Sequence, residues 1–228
     1  MEPIWPAQIS SFGPGGTVFS PSLERSVAIG VAAGVAAIRD TDNVCGLISY
    51  SLGGICASTI LEGVASGEFA NDDGSPLDIA FAIFIANPLR RSGDSVHDRC
   101  GGDTHGLHGE HGPWPDLDVR EYANPFDIIT ASPPDSPLRF VDAAVGPFSL
   151  VEGARLGNTG PMIISELVQM VTIHPNQNVH RYLAAIEGTA GYLTPWPRGT
   201  HTGYSGQEFD NTGQTWTQHA AHYLNSKY

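Results

Sequence analysis

Positive charge is scarce in this chain. Lys and Arg number 11 against 24 Asp and Glu, which gives a net charge of -13 over 228 residues. A surface this acidic repels phosphate backbones and anionic lipid headgroups, so nucleic acid is excluded as a partner and a neutral surface such as polysaccharide is left open. Cysteine is also scarce: Cys45, Cys56 and Cys100 are too few for a disulfide framework. Cys45 and Cys56 lie in apolar runs and are expected to be buried free thiols, whereas Cys100 lies in a polar loop and is expected to be exposed. No stretch approaches the roughly 20 apolar residues that would cross a bilayer, so no membrane span is expected. The start, Met1-Glu-Pro-Ile-Trp-Pro, has neither the basic beginning nor the apolar centre of a signal peptide. What the chain has in quantity is glycine (27) and proline (17), which predict much turn and loop. The length suits a single domain, residues 1–228, with a substantial core.

The apolar pattern predicts alternating strands and helices. Pro3 to Ile9 reads as an edge strand, and Ser20-Pro21 as the cap and first position of a helix. The helix body, Leu23 to Arg39, places Val27, Val31, Val35 and Ile38 on one face. Val44 to Tyr50 reads as a buried strand. Leu52 to Ser66 reads as a helix with Ile55, Thr59, Ile60 and Val64 inward, and "DIAFAIFIA" from Asp78 to Ala86 as a second strand. Strand, helix and strand in this order imply a mostly parallel α/β sheet flanked by helices. A long Gly- and His-rich loop follows over about 87–117, of the length that usually carries function. Beyond it come a strand at Val119 to Tyr122, a turn at Ala123 to Asp127, and helices at Pro161 to Ile173 and Asn178 to Gly191. The last helix, Thr215 to Leu224, begins near Asn211-Thr-Gly.

Chemistry centres on "GLISYSLGG", Gly46 to Gly54. A serine lifted onto a sharp bend between strand and helix is the nucleophile elbow, and it needs small residues two before and two after. Ser49 and Gly53 meet that need around Ser51, and the backbone N–H of Leu52 would donate to an oxyanion. A serine nucleophile requires a base and an acid to orient it, in chain order Ser, Asp or Glu, His. Asp127, just after a strand, suits the acid, with Asp116, Asp118, Asp135 and Asp142 as competitors. His201, in the loop "PRGTHTGYSG", suits the base as a mobile, partly exposed imidazole. His219 and His222 are expected on a solvated helix face, and His174 and His180 as surface caps.

Several stretches carry a resemblance to a known family. These are "WPAQISSFGPGG" with "SPSLERSVAIGVAAGVAAI", then "YSLGG", "FIANPLRRSGDS", "EYANPFDIIT" and "GTHTGYSGQEFDNTGQTWTQHAAHYL". In this order and spacing the chain resembles the lysin B family of mycobacteriophage esterases and the related cutinase-like serine hydrolases, over nearly its whole length. The resemblance implies a cutinase-like α/β-hydrolase fold with Ser51 as nucleophile, Asp127 as the orienting acid and His201 as the base. It implies hydrolysis of the ester joining mycolic acids to arabinogalactan, or of another envelope lipid ester, with no cofactor and no metal. Delivery would be on a phage tail or by release at host lysis, with other tail proteins or a second copy of the chain as further partners. The family's loop corresponding to 87–117 is also Gly and His rich, which implies a lid or substrate-binding role, assigned here to His105, His108 and Trp114.

Three departures accompany the resemblance. Ser49 stands where the family has the elbow glycine, and Leu52 where it has glutamine. The family's first strand and the loop that supplies its second oxyanion donor have no counterpart ahead of Ile4-Trp5-Pro6-Ala7. The loss of one such donor commonly costs about a hundredfold or more in rate. An alternative expectation is therefore a catalytically weak or inactive tail component that binds the host envelope. The loop residues His97, Asp98, Cys100, Asp103, His105, His108 and His111 also include enough donors for zinc, but their spacing is not that of a structural zinc site, and a polar solvent-facing lid is the expectation.

Overall fold

The structure, a computed structural model, describes residues 23–136, 138, 139 and 199–228. Helix α1 spans Leu23–Arg39, strand β1 Cys45–Tyr50, helix α2 Leu52–Ser66 and strand β2 Ile79–Ile85. A 3-10 turn at Val96–Asp98 follows, then strand β3 (Asp118–Tyr122) and helix α3 (Trp216–Lys227). The strands pair in parallel in the order β1-β2-β3, so the fold is an α/β sheet flanked by helices. The strand expected at Pro3 to Ile9, the cap at Ser20-Pro21 and the helices at Pro161 to Ile173 and Asn178 to Gly191 lie outside the described residues.

Alternation along β2 separates two cores. Ala82 and Phe84 point to one face, where they meet Ala57 and Leu61 of α2. Ile83 and Ile85 point to the other, where they meet Tyr122, Tyr204, Phe209 and Trp216 from β3 and the C-terminal segment. Helix α1 buries Val31, Val35 and Ile38 against Cys56 and Ile60 of α2. Because α2 touches both α1 and the sheet, its buried face is wider than a single stripe and includes Cys56, Ala57, Ser58, Leu61 and Gly63. Thr59, expected inward, is only half-buried, and its hydroxyl donates to Ile55 O at 2.9 Å.

Strand β1 departs from the expectation of a buried strand. Leu47 leans into the α1/α2 core. Ile48 and Tyr50, on the opposite face, are 65% and 44% exposed. The strand alternates because only one of its faces is covered by helices among the described residues. Two helix ends follow local rules. Helix α2 stops at Gly67, whose left-handed φ of 78° suits a residue without Cβ and lets its N–H reach Val64 O. Helix α3 is capped at Thr215, the expected start, where Thr215 and Gln218 form a reciprocal capping box.

Candidate functional site

The three parallel strands end at one edge of the sheet, and that edge is where ligand chemistry collects in open α/β folds. Ser51 follows the last residue of β1. Its backbone N–H continues the ladder by donating to Ile85 O at 2.9 Å, and Ala86 N does the same to Tyr122 O at 3.0 Å. The chain then turns sharply at Ser51, with φ 52° and ψ -121°. A non-glycine residue in that region is strained by about 1–3 kcal/mol and persists only where the surroundings hold it.

The glycines around this bend have different duties from those expected. A Cβ placed on Gly53 would sit 3.8 Å from Ser49 Cβ, an ordinary contact, because Ser49 is itself small. A Cβ on Gly54 would lie 2.8 Å from Asn87 Oδ1 and 3.2 Å from Asn87 Cα. The close approach of α2 to the end of β2 therefore makes glycine necessary at 54 more than at 53.

Ser51, His201 and Asp127 form one hydrogen-bonded row. Ser51 Oγ is 2.7 Å from His201 Nε2, and His201 Nδ1 is 2.9 Å from Asp127 Oδ2. With the proton on Nδ1, the imidazole donates to the carboxylate and accepts from the serine hydroxyl. Asp127 is 2% exposed and His201 4%, so the imidazole is enclosed where a mobile, partly exposed one was expected. The cause is its neighbours. Tyr50 hydroxyl donates to His201 O, and the Tyr50 ring lies 5.5 Å from the imidazole.

Residues that the sequence did not single out hold the carboxylate. Tyr204 hydroxyl donates to Asp127 Oδ2 at 2.9 Å and accepts from Asn124 N at 3.0 Å. Burial, and next the adjacent Asp127 charge, hold the Tyr204 phenol well above its ordinary pKa, so it remains a neutral donor. Asp127 Oδ1 accepts from Ile129 N at 3.1 Å. Asn124 shapes the turn from the other side. Its Oδ1 accepts from Phe126 N at 3.0 Å, its backbone O from Asp127 N at 2.9 Å, and its Nδ2 donates to Gln207 Oε1 at 2.7 Å. The signal that could have found it is the Asn-Pro pair, a turn opener.

The competing acids go elsewhere. Asp118 Oδ2 accepts from Lys227 Nζ at 2.8 Å and from Tyr223 Oη at 2.5 Å, which ties β3 to α3. Asp116 and Asp135 are exposed, and Asp142 lies outside the described residues, as do His174 and His180. His222 is exposed, but His219 is not on a solvated face. Its Nδ1 is 3.0 Å from Tyr122 Oη and its ring lies 4.3 Å from Phe209, because α3 turns this position onto the aromatic core.

The 87–117 loop is not a loose solvent-facing lid. Arg90, fully buried, donates to Thr130 O, Arg91 O, Asp94 O, Thr104 O and Thr104 Oγ1. One guanidinium thus satisfies carbonyls from the start and the middle of the loop and from Thr130 beyond it. His105 exchanges backbone hydrogen bonds with Ser132, and His108 N donates to Pro88 O at 2.9 Å. Trp114 stacks on Phe84 at 4.7 Å and on His111 at 3.3 Å, on the α2 side of the sheet, so its part in the fold is packing. Burial lowers the His111 pKa. Cys100, expected exposed, is 2% exposed. Its Sγ lies 3.3 Å from Ala123 O, and burial pushes the thiol up to about 11. Cys56 is also buried and pushed up to about 12, while Cys45 is half-buried. No helix among the described residues is long and apolar enough to cross a membrane.

No family model matches the chain, and no curated protein matches it. Among solved structures the chain is similar to lysin B from Mycobacteriophage D29, at 17% identity and TM-score 0.43, over 82% of this chain and 79% of that one. It is also similar to the catalytic core domain of acetyl xylan esterase from Trichoderma reesei, at 22% identity and TM-score 0.40, over 64% and 74% of the two chains. A further acetyl xylan esterase aligns at 19% identity and TM-score 0.38, over 57% of this chain and 69% of that one.

Proposed function

We propose that the protein is a serine esterase, acting on lipid esters of the mycobacterial envelope such as mycolyl-arabinogalactan. The observation that carries the esterase reading is the row of Ser51, His201 and Asp127, with the serine on a strained bend at the sheet edge. The substrate class rests on the sequence resemblance to the lysin B family, as does delivery on a phage tail or by release at lysis.

In this reading Ser51 Oγ attacks the acyl carbonyl carbon and its proton passes to His201 Nε2. Asp127, accepting from Nδ1, stabilises the imidazolium. The carbonyl oxygen gains the negative charge. Leu52 N–H, first in α2 and so without an intrahelical acceptor, donates to it. Collapse of the tetrahedral intermediate breaks the ester C–O bond, and His201 returns the proton to the departing alkoxide. Water, deprotonated by His201, then attacks the acyl-enzyme and releases the acid with Ser51 restored. No step calls for a metal or cofactor.

The test is labelling by a fluorophosphonate probe together with turnover of p-nitrophenyl esters of increasing acyl length. Labelling and turnover that vanish in Ser51→Ala and fall steeply in His201→Ala are the expected result. Folded parent protein that neither labels nor turns over would refute the esterase reading and favour an envelope-binding tail component. Turnover restricted to acetyl esters would keep the esterase and remove the lipid substrate.

A further inference from the structure

We propose a second site, a divalent transition-metal site built by His97, Asp210 and His219. The three residues come from separate parts of the chain: the 3-10 turn at Val96–Asp98, the segment leading to α3, and α3 itself. One ligating atom from each lies within 4.8 Å of the others. The donors are two imidazoles and a carboxylate, the mixed nitrogen and oxygen set that zinc and its neighbours favour over calcium or magnesium. Bonds of about 2.0–2.1 Å to a tetrahedral ion would bring these atoms to roughly 3.3 Å apart, so the side chains would draw in around it, the exposed His97 among them.

Further features suit the same reading. Tyr122 Oη lies 3.0 Å from His219 Nδ1; with Nδ1–H donating to the phenol oxygen as an outer partner, Nε2 would be left for the ion. The His97 and His219 rings meet edge to face at 5.3 Å, an arrangement that suits neutral imidazoles, the form that ligates a metal. Asp210 Oδ1 accepts from Thr212 N at 3.0 Å and from Thr212 Oγ1, which fixes the carboxylate. His97 and Asp98 both adopt left-handed backbone, with φ 58° and 51°, a strained pair that sets the turn beside the other two residues. An open cavity of about 300 Å³, lined by Arg99, Glu208, Phe209, Asp210 and Asn211, lies beside the carboxylate. Arg99 lies over the Phe209 and Trp216 rings at 5.3 and 5.4 Å, and it and Arg120 are cations that oppose the ion. The bound ion would cross-link the 3-10 turn, the segment behind Tyr204 and the first turns of α3.

The experiment uses zinc itself on the full chain, stripped with EDTA and dialysed. Titration calorimetry and melting curves are recorded for the parent and for His97→Ala, Asp210→Asn, Tyr122→Phe and the double variant His105→Ala/His108→Ala. The expected result is one zinc per chain and a raised Tm in the parent. Both should be lost in His97→Ala, whose exposed side chain leaves the fold intact, and in Asp210→Asn. Affinity should fall about tenfold or more in Tyr122→Phe. The loop double variant should bind zinc as the parent does. The proposal is overturned if the parent takes up no zinc, if His97→Ala binds as tightly as the parent, or if binding disappears with His105 and His108.

Discussion

Replacing Glu121 with glutamine should make the protein more stable in alkali and leave it unchanged in acid. Glu121 sits on β3, fully enclosed, with Oε1 accepting from Asn87 Nδ2 at 2.8 Å. Oε2 has no hydrogen-bond partner among the described residues. Burial outweighs the Asn87 hydrogen bond and the Arg90 charge and pushes the carboxyl from 4.5 up to about 8. A folded acid with a raised pKa binds its proton more firmly than the unfolded chain does. The group's contribution is thus fully present below 4.5 and is lost as pH climbs to about 8. Across that window the loss amounts to roughly 5 kcal/mol at most, a large share of the stability of an ordinary domain. Glutamine keeps the acceptor for Asn87 and cannot ionise. Urea denaturation of parent and Glu121→Gln, followed by circular dichroism, should give matching midpoints near pH 4.5. At pH 9 the midpoint of the variant should be clearly higher. Equal differences at both pH values would show that Glu121 does not carry a displaced titration, and the burial argument would be wrong.

Three further outcomes follow from the geometry. Tyr204→Phe should keep the fold but lower ester kcat by about tenfold to a hundredfold, because a hydrogen bond to a charged group is worth about 1.5–3 kcal/mol; unchanged kcat would remove Tyr204 from the positioning of Asp127. Gly54→Ala should destabilise by about 1–3 kcal/mol through the contact with Asn87, while Gly53→Ala should be nearly neutral; thermal melts of the pair check it, and the reverse order would refute it. Arg90→Met should cost at least about 3 kcal/mol by stranding loop carbonyls. Lysine should not rescue it, since an ammonium cannot span the same acceptors.

Much of the frame was legible because it depends on local rules. The bodies of α1 and α2 follow from an apolar stripe and from breakers such as Gly67, and β2 from a dense apolar run. The gathering of Ser51, Asp127 and His201 was legible from chain order and from the elbow, since parallel strands deliver their ends to one edge. What was hidden depends on partners distant in sequence. His219 reads as a polar position on a helix, yet α3 packs it on Phe209 and Tyr122. Cys100 sits among polar residues, yet the loop folds it under Ala123. Nothing local marks Arg90 for burial, and only the folded loop supplies the carbonyls that make its burial affordable. Tyr204 gains its part through Asp127, a partner distant in sequence, whereas Asn124 carries a local turn signal but not its bond to Gln207.

The bend at Ser51 sets folding and chemistry against each other. Its φ of 52° with ψ -121° is a conformation that glycine adopts freely and serine does not. A glycine there would relax the main chain and delete the hydroxyl in one stroke. The Ser51→Gly protein should therefore melt no lower than its parent while being inert, whereas Ser51→Ala keeps the tension without the oxygen. Comfort of the backbone and possession of a nucleophile are, at this one residue, mutually exclusive.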